Sequence, residues 1–351
     1  MTRRIFKWVL RLVLVLALIV ASLLLPVGYV ELACKGTPQD NTYAAVLPQE
    51  NHRPESRTLL TYPEWHIVHA YDDYARVIKT GDPHEFGFAR GISGFWFSLC
   101  TLSERSAHHG GFPWETKQMV YTIGISFTAE MLAKAAYEET FGRLSAALRG
   151  DKRAELDDVS ARQAADYAGF LQQVPWYKWN FRRDASELTD DNTGGLRNIE
   201  RRLALGLEYR VKAAYAGVIE QAVAQVGADE LTLRMVVTGA SPADLSALEG
   251  VTVIAERAEG IEIETPRYRT LTHLMQAMAV NDIDFVEIAG NDDILLTATS
   301  PDPETQTALF SFERQGYGDW RHLIILKVQD LGAFLRAVDE SGLTIEHIHD
   351  Y

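Results

Sequence analysis

His66, His69 and Asp73 are the residues in this 351-residue chain whose types and spacing come nearest to chemistry. At 100° per residue they fall within about 60° of one another on a helix, where neighbours three apart can share a metal ion. A divalent ion held there would lower the pKa of a coordinated water, the chemistry of a metal-assisted hydrolase or transferase. Glu130 is the matching base. It sits in Ile123–Leu132, the most apolar stretch of a predicted helix, where burial raises a carboxyl pKa toward the range of proton transfer. Both features have ordinary counterparts. The stripe lies about 140° from the apolar face of Ile67, Tyr71, Tyr74 and Ile78, as a solvated face would. Lys134 follows Glu130 at the i, i+4 spacing of a common ion pair.

Other histidines are paired. His108-His109 lies in a glycine-bearing loop suited to metal binding or pH sensing, or simply to water. His347 and His349 share one face of a predicted last strand, an HxH arrangement that can chelate or belong to a polar chain end. Trp176, Tyr177, Trp179, Arg182 and Arg183 mix aromatic and basic side chains. That composition suits a bilayer interface or a partner surface, and equally an inter-helix connection whose rings fill a core. The sequence carries no P-loop, G-x-G-x-x-G, G-x-S-x-G, C-x-x-C or HExxH. Nucleotide chemistry and thiol relays therefore lack support, and a divalent metal is the cofactor only of the hydrolase reading.

The strongest signal lies ahead of all of these. Arg3, Arg4, Lys7 and Arg11 precede Leu12–Val30, a run without a charged side chain. It is long enough to cross a bilayer, which takes about 20 residues. Basic flanks stay cytoplasmic, so the expected arrangement is an uncleaved anchor in the cytoplasmic membrane, with the bulk of the chain extracytoplasmic. Thr2–Lys7 loosely resembles a twin-arginine export signal but lacks the leucine between Phe6 and Lys7. Leu32-Ala33-Cys34 resembles a lipoprotein site but has Glu31 where leucine belongs. Net charge is −14 and the first thirty residues supply +4, leaving −18 on the remainder, which excludes a phosphate backbone as a natural partner. Outside the cytoplasm, Cys34 and Cys100 are a candidate disulfide.

The remaining patterns divide the chain. Residues 1–30 are the tip and anchor, and 31–58 a proline-bearing tether. Residues 59–227 carry helical periodicity, with Thr61-Tyr62-Pro63-Glu64 as the capping box of the first helix and further helices over about 83–106, 114–149, 160–174 and 195–226. From 228 to 351 the period changes. Strands are predicted over 231–237, 251–255, 261–265, 283–288, 294–299, 309–313, 322–328 and 343–349, with short helices after Ser241, Thr270 and Asp330. The pairs 283–288/294–299 and 309–313/322–328 read as hairpins. The first six elements run β-α-β-β-α-β, the order of a ferredoxin-like split βαβ. The fold class is α+β: a transmembrane helix, an all-α domain and a mainly antiparallel domain. With no motif of catalytic specificity, the expected function is binding or assembly with an envelope protein. The metal-assisted hydrolase built on His66, His69, Asp73 and Glu130 is the alternative.

Overall fold

The computed structural model describes residues 2–39, 42–190, 194–226, 231–305 and 307–351. Asn192, Thr193 and Gly227, which flank the expected last helix of the all-α part, lie outside them. Helix α1 (Thr2–Ala33) has an apolar stretch, Phe6–Ala33, long enough to cross a membrane. It runs past Val30 because its end is docked: Val27 and Val30 join the helical core, and the Glu31 carboxylate accepts bonds from Lys117 Nζ (2.8 Å) and the Tyr121 hydroxyl. Cys34 and Cys100, 66 residues apart, form a disulfide with Cα atoms 5.1 Å apart. Closing a loop of that length restricts the unfolded chain by about 4 kcal/mol. Cys100→Ser should lower unfolding stability by about that much in urea titrations of the oxidised protein. An unchanged midpoint would show that the bond restrains nothing.

The expected tether is an ordered strap. Its backbone donors find a buried acceptor: the Glu287 carboxylate takes the amides of Val46 (2.5 Å) and Leu47 (2.9 Å) and the hydroxyl of Tyr43 (2.8 Å). A proline-rich segment with little to bury is held here by hydrogen bonds to one charged group, each worth more than a neutral one.

The helical part comprises α2 (Ser56–Ile78), α3 (Phe88–Ser106), α4 (Trp114–Tyr137), α5 (Arg143–Arg149), α6 (Glu155–Leu171), α7 (Phe181–Asp190) and α8 (Leu196–Val226). Helix α2 begins a turn before the expected capping box. Thr61 instead donates to the Thr58 carbonyl, Glu64 is exposed, and Pro63 sits inside the helix. The helix expected over 114–149 is interrupted by one π-turn, Glu138–Gly142, at the point where buried Glu138 turns to pair with Arg201. A Cβ on Gly142 would lie 2.1 Å from Glu138 Oε2, so a larger residue there would displace the carboxylate from its place beside Arg201. Helix α7 has no counterpart among the expected elements.

The α+β part holds β1 (Thr232–Thr238), α9 (Pro242–Ser246), β2 (Thr252–Glu256), β3 (Ile261–Pro266), α10 (Tyr268–Val280), β4 (Asp284–Ile288), β5 (Asp293–Ser300), β6 (Ala308–Glu313), β7 (Trp320–Lys327), α11 (Val328–Ala337) and β8 (Thr344–His349). The strands form two antiparallel sheets, β2-β3-β1-β4 and β6-β7-β5-β8. The first realises the ferredoxin-like order. The second repeats it, with a loop where α9 would be. The irregularities match too: the β2/β3, β1/β4, β6/β7 and β5/β8 pairs each contain a register shift, and the central β1/β3 and β5/β7 pairs contain none.

The expected β4/β5 hairpin does not form, because β4 belongs to one sheet and β5 to the other. At the crossover Arg53 of the strap donates its amide to the Ala289 carbonyl, and Asn291 Nδ2 donates to Arg53 O. The β6/β7 hairpin does form. Both sheets and helices α10 and α11 share one core, in which Met235, Ile263, Met275, Ile294, Leu296, Ile324 and Leu331 are buried. The other face of the second sheet is covered by α2 and α3, through Leu59, Tyr62, Leu102, Leu295 and Leu323. This is why β5 reads Ile-Leu-Leu without alternation: it is buried on both faces.

Candidate functional site at the helix–sheet junction

Residues Tyr62, His66, His69 and Asp73 recur on α2 every three or four positions, and all four are buried. The expected solvated face is therefore a second buried face. The Ile67/Tyr71 side packs in the helical core, and the histidine side meets the second sheet. A helix covered on two sides has no solvated face at these positions.

His66 is fully used where it stands. Its Nε2 lies 2.9 Å from the Gly91 carbonyl and its Nδ1 3.3 Å from the Tyr62 hydroxyl. Nε2 must then carry the proton and Nδ1 accept. Burial lowers its pKa to about 4, so the ring is neutral. The close approach of α3 needs Gly94, whose substituted Cβ would lie 2.8 Å from His66 Cε1. Asp73 accepts the Gln315 amide at 3.1 Å through Oδ2. Its Oδ1 has no hydrogen-bond partner among the described residues, with Arg321 Nη2 3.9 Å away. Burial raises this carboxyl to about 6 despite Arg321. His69 Nε2 lies 3.5 Å from Glu346, and burial followed by Arg321 holds its pKa well below the ordinary range.

The last strand completes the cluster. Between its pairings with Ala298 and Thr297, β8 carries one extra residue, Glu346, and this bulge aims the carboxylate at Arg321, which binds it through Nε and Nη2 (2.7 Å). Arg321 is buried, and Glu346 and Asp73 hold its pKa above the usual value. His347 stacks on Trp65 with ring centres 3.5 Å apart, and its Nδ1 lies 3.1 Å from Thr272 Oγ1. His349 packs edge-on to His347 (4.8 Å) and Tyr62 (5.5 Å). Burial lowers the pKa of His347 well below the ordinary value and that of His349 to about 3. His347 Nε2 and both nitrogens of His349 have no hydrogen-bond partner among the described residues. The HxH pair expected at a polar chain end is thus buried. A cleft of about 190 Å³ between α3 and the β6–β7 hairpin reaches His66, Asp73 and Arg321, with Phe97, Phe310 and Phe312 on its walls.

Glu130 lies elsewhere. Tyr71 donates to it at 2.6 Å and Lys212 Nζ stands 2.7 Å away, with the expected Lys134 at 4.0 Å. Glu208, half-buried between Lys134 (3.0 Å) and Lys212 (3.2 Å), completes a four-charge group beside the helical core. So α2 presents its histidines to the sheet and Tyr71 to this group, and Glu130 does not join His66 and His69. Nor do His66, His69 and Asp73 gather their ligand atoms around one point. Among the described residues, three such atoms come together in Cys34–Cys100–Glu104, whose cysteines are disulfide-bonded, and in Glu55–His109–Asp293. His109 belongs to the loop singled out in the sequence, whereas Glu55 and Asp293 carried no signal because only the fold brings them beside it.

Trp176, Tyr177 and Trp179 are half-buried. Trp176 lies 5.3 Å from Tyr215, and Trp179 donates to Asp184 at 2.6 Å while the Arg183 guanidinium sits 4.9 Å over its ring. These rings pack against the helical core, and Arg182 and Arg183 reach solvent. Sequence reasoning missed Tyr62, Trp65, Arg321 and Glu346. The one available signal was the spacing of Tyr62, His66, His69 and Asp73, which is that of a packed helix face. No family model matches this sequence, and no curated protein or solved structure matches it.

Proposed function

We propose that this chain is a binding or assembly module held at the outer face of the cytoplasmic membrane, with its N-terminus inside, its body extracytoplasmic and its partner an envelope protein. The basic residues before the span support that orientation, and the disulfide fits an oxidising compartment. One observation carries the assembly reading. Helix α8 exposes Leu196, Ile199, Leu203, Leu207, Val211, Tyr215 and Val218, each between 45% and 70% accessible. These residues recur every three or four positions, about 3.7 per turn, so they form one straight stripe. Leu144 and Leu148 of α5, a helix that touches α8, are exposed as well. A monomer rarely exposes a contiguous apolar patch beyond about 300–600 Å², and larger ones mark interaction surfaces. By contrast, the charged groups at Glu130 and Arg321 are partnered inside the fold and leave little for an external substrate.

A photoactivatable residue at position 207, in intact membranes, should yield a discrete protein adduct. Leu203→Glu with Val211→Glu should reduce that adduct at least tenfold with folding unchanged. Absence of any adduct, together with measurable turnover of an envelope substrate, would sink the reading.

A further inference from the structure

We infer that, given an assembly role for the α8 stripe, its partner is a second copy of this chain, paired antiparallel about a two-fold axis at Leu207. Two identical surfaces meet only where a patch is complementary to itself, so that residue i contacts residue j and j contacts i. The stripe has that form. Its apolar residues stand 4, 8 and 11 positions from Leu207 on both sides. Turning one helix over sets Leu203 against Val211, Ile199 against Tyr215 and Leu196 against Val218, with Leu207 against itself. A stripe made for an unrelated surface needs no such centre.

Helix geometry keeps the match along the whole stripe. Leu196, Leu207 and Val218 stand eleven residues apart, a repeat of about 3.67 per turn that departs little from a straight α-helix. The stripe therefore runs about 33 Å, at about 1.5 Å per residue, without winding off the face. Its seven side chains offer roughly 700 Å² per copy, within the roughly 600–1,000 Å² that each partner buries in a stable interface. Anchoring both copies in one bilayer would add to this by raising their effective concentration.

Charge selects the sense of the pairing. Arg210 is the one charged residue exposed between Leu196 and Val218. A parallel pair in register would set Arg210 beside its own copy. The antiparallel pair sets it level with Ala204 instead. The acidic body repels another copy at long range, but no carboxylate is exposed along the stripe. Glu200 is held by Arg197 and Arg201, and Glu208 by Lys134 and Lys212.

The test is cysteine cross-linking of the full chain in native membranes under mild oxidation. Leu207→Cys should give a covalent dimer by itself. Leu203→Cys and Val211→Cys should each give none, because the antiparallel register holds like positions about 12 Å apart along the axis, beyond the reach of a disulfide. Mixed in one membrane, those two variants should cross-link to each other. In detergent, Leu203→Lys should weaken dimerisation at least tenfold by sedimentation, with circular dichroism unchanged. Adding Val211→Glu should recover at least threefold, since each lysine then meets a glutamate of the other copy. A monomer with no Leu207→Cys cross-link, or a Leu203→Cys chain that cross-links to itself, would overturn the pairing. A photo-adduct at position 207 with a different protein would also overturn it, while leaving the assembly role of the stripe standing.

Discussion

Arg321→Met will cost about 3–5 kcal/mol of folding stability, because it leaves charges buried without a partner. Arg321 is 1% exposed, binds Glu346 through two nitrogens and lies 3.9 Å from Asp73. Methionine keeps the packing of the aliphatic stem but reaches only as far as Nε, so the compensating charge disappears and the buried place of the guanidinium is left unfilled. Asp73 already has its carboxyl raised to about 6 by burial and will rise further. The loss falls on the seam between α2 and the second sheet, since Asp73 belongs to one and Arg321 and Glu346 to the other. Adding Glu346→Gln removes the stranded charge and should recover part of the loss, giving a coupling energy of at least about 1 kcal/mol in a double-mutant cycle. Urea unfolding of the four proteins measures it. A cost below about 1 kcal/mol for Arg321→Met would mean that the seam is held by apolar contacts alone.

The second large effect is acid lability. His66, His69, His347 and His349 are all buried and all have pKa values pushed down, to about 4 for His66 and about 3 for His349. In the unfolded chain each titrates near 6.5. Their folded values are depressed, so the stability they contribute is complete above about pH 6.5 and is lost as the pH falls toward 4. Asp73 works the other way. Its folded value of about 6 exceeds the unfolded 3.8, so between those values the folded state binds a proton the unfolded state does not. The net excess for the unfolded chain near pH 5 is about three protons, or about 4 kcal/mol of stability per pH unit. Domains are stable by only about 5–15 kcal/mol, so unfolding is expected near pH 5. Urea midpoints from pH 7.5 to 4.5 will show the slope, and His347→Gln should reduce it by about one proton. A flat profile across that range would show that water reaches these rings.

Much of the fold was legible in local pattern. The Leu12–Val30 run marked a helix long and apolar enough to cross a membrane, and the change from helical to alternating periodicity after residue 227 anticipated where long helices give way to strands. The order of elements from 231 to 288 anticipated the first sheet, and an even pair of cysteines in a body expected outside the cytoplasm anticipated the Cys34–Cys100 bond. These rest on short-range physics: hydrophobic length, period and turn chemistry. The failures share a cause. Glu287 gathers the strap, Glu138 opens a π-turn to meet Arg201, and β5 leaves β4 for another sheet. Each depends on a partner far along the chain, and local pattern carries no information about it.

The histidines of α2 show the division most clearly. Sequence alone determined that His66, His69 and Asp73 lie on one helical face, because helix geometry fixes that. It also determined a helix near the N-terminus long and apolar enough to cross a membrane, because length and composition fix that. Whether that face met water, a metal or another part of the protein depended on what packs on it. Only the tertiary structure brought the bulge at Glu346, the Arg321 guanidinium and the ring of His347 against it, and so made an apparently solvated stripe into the buried, charge-compensated seam of the molecule.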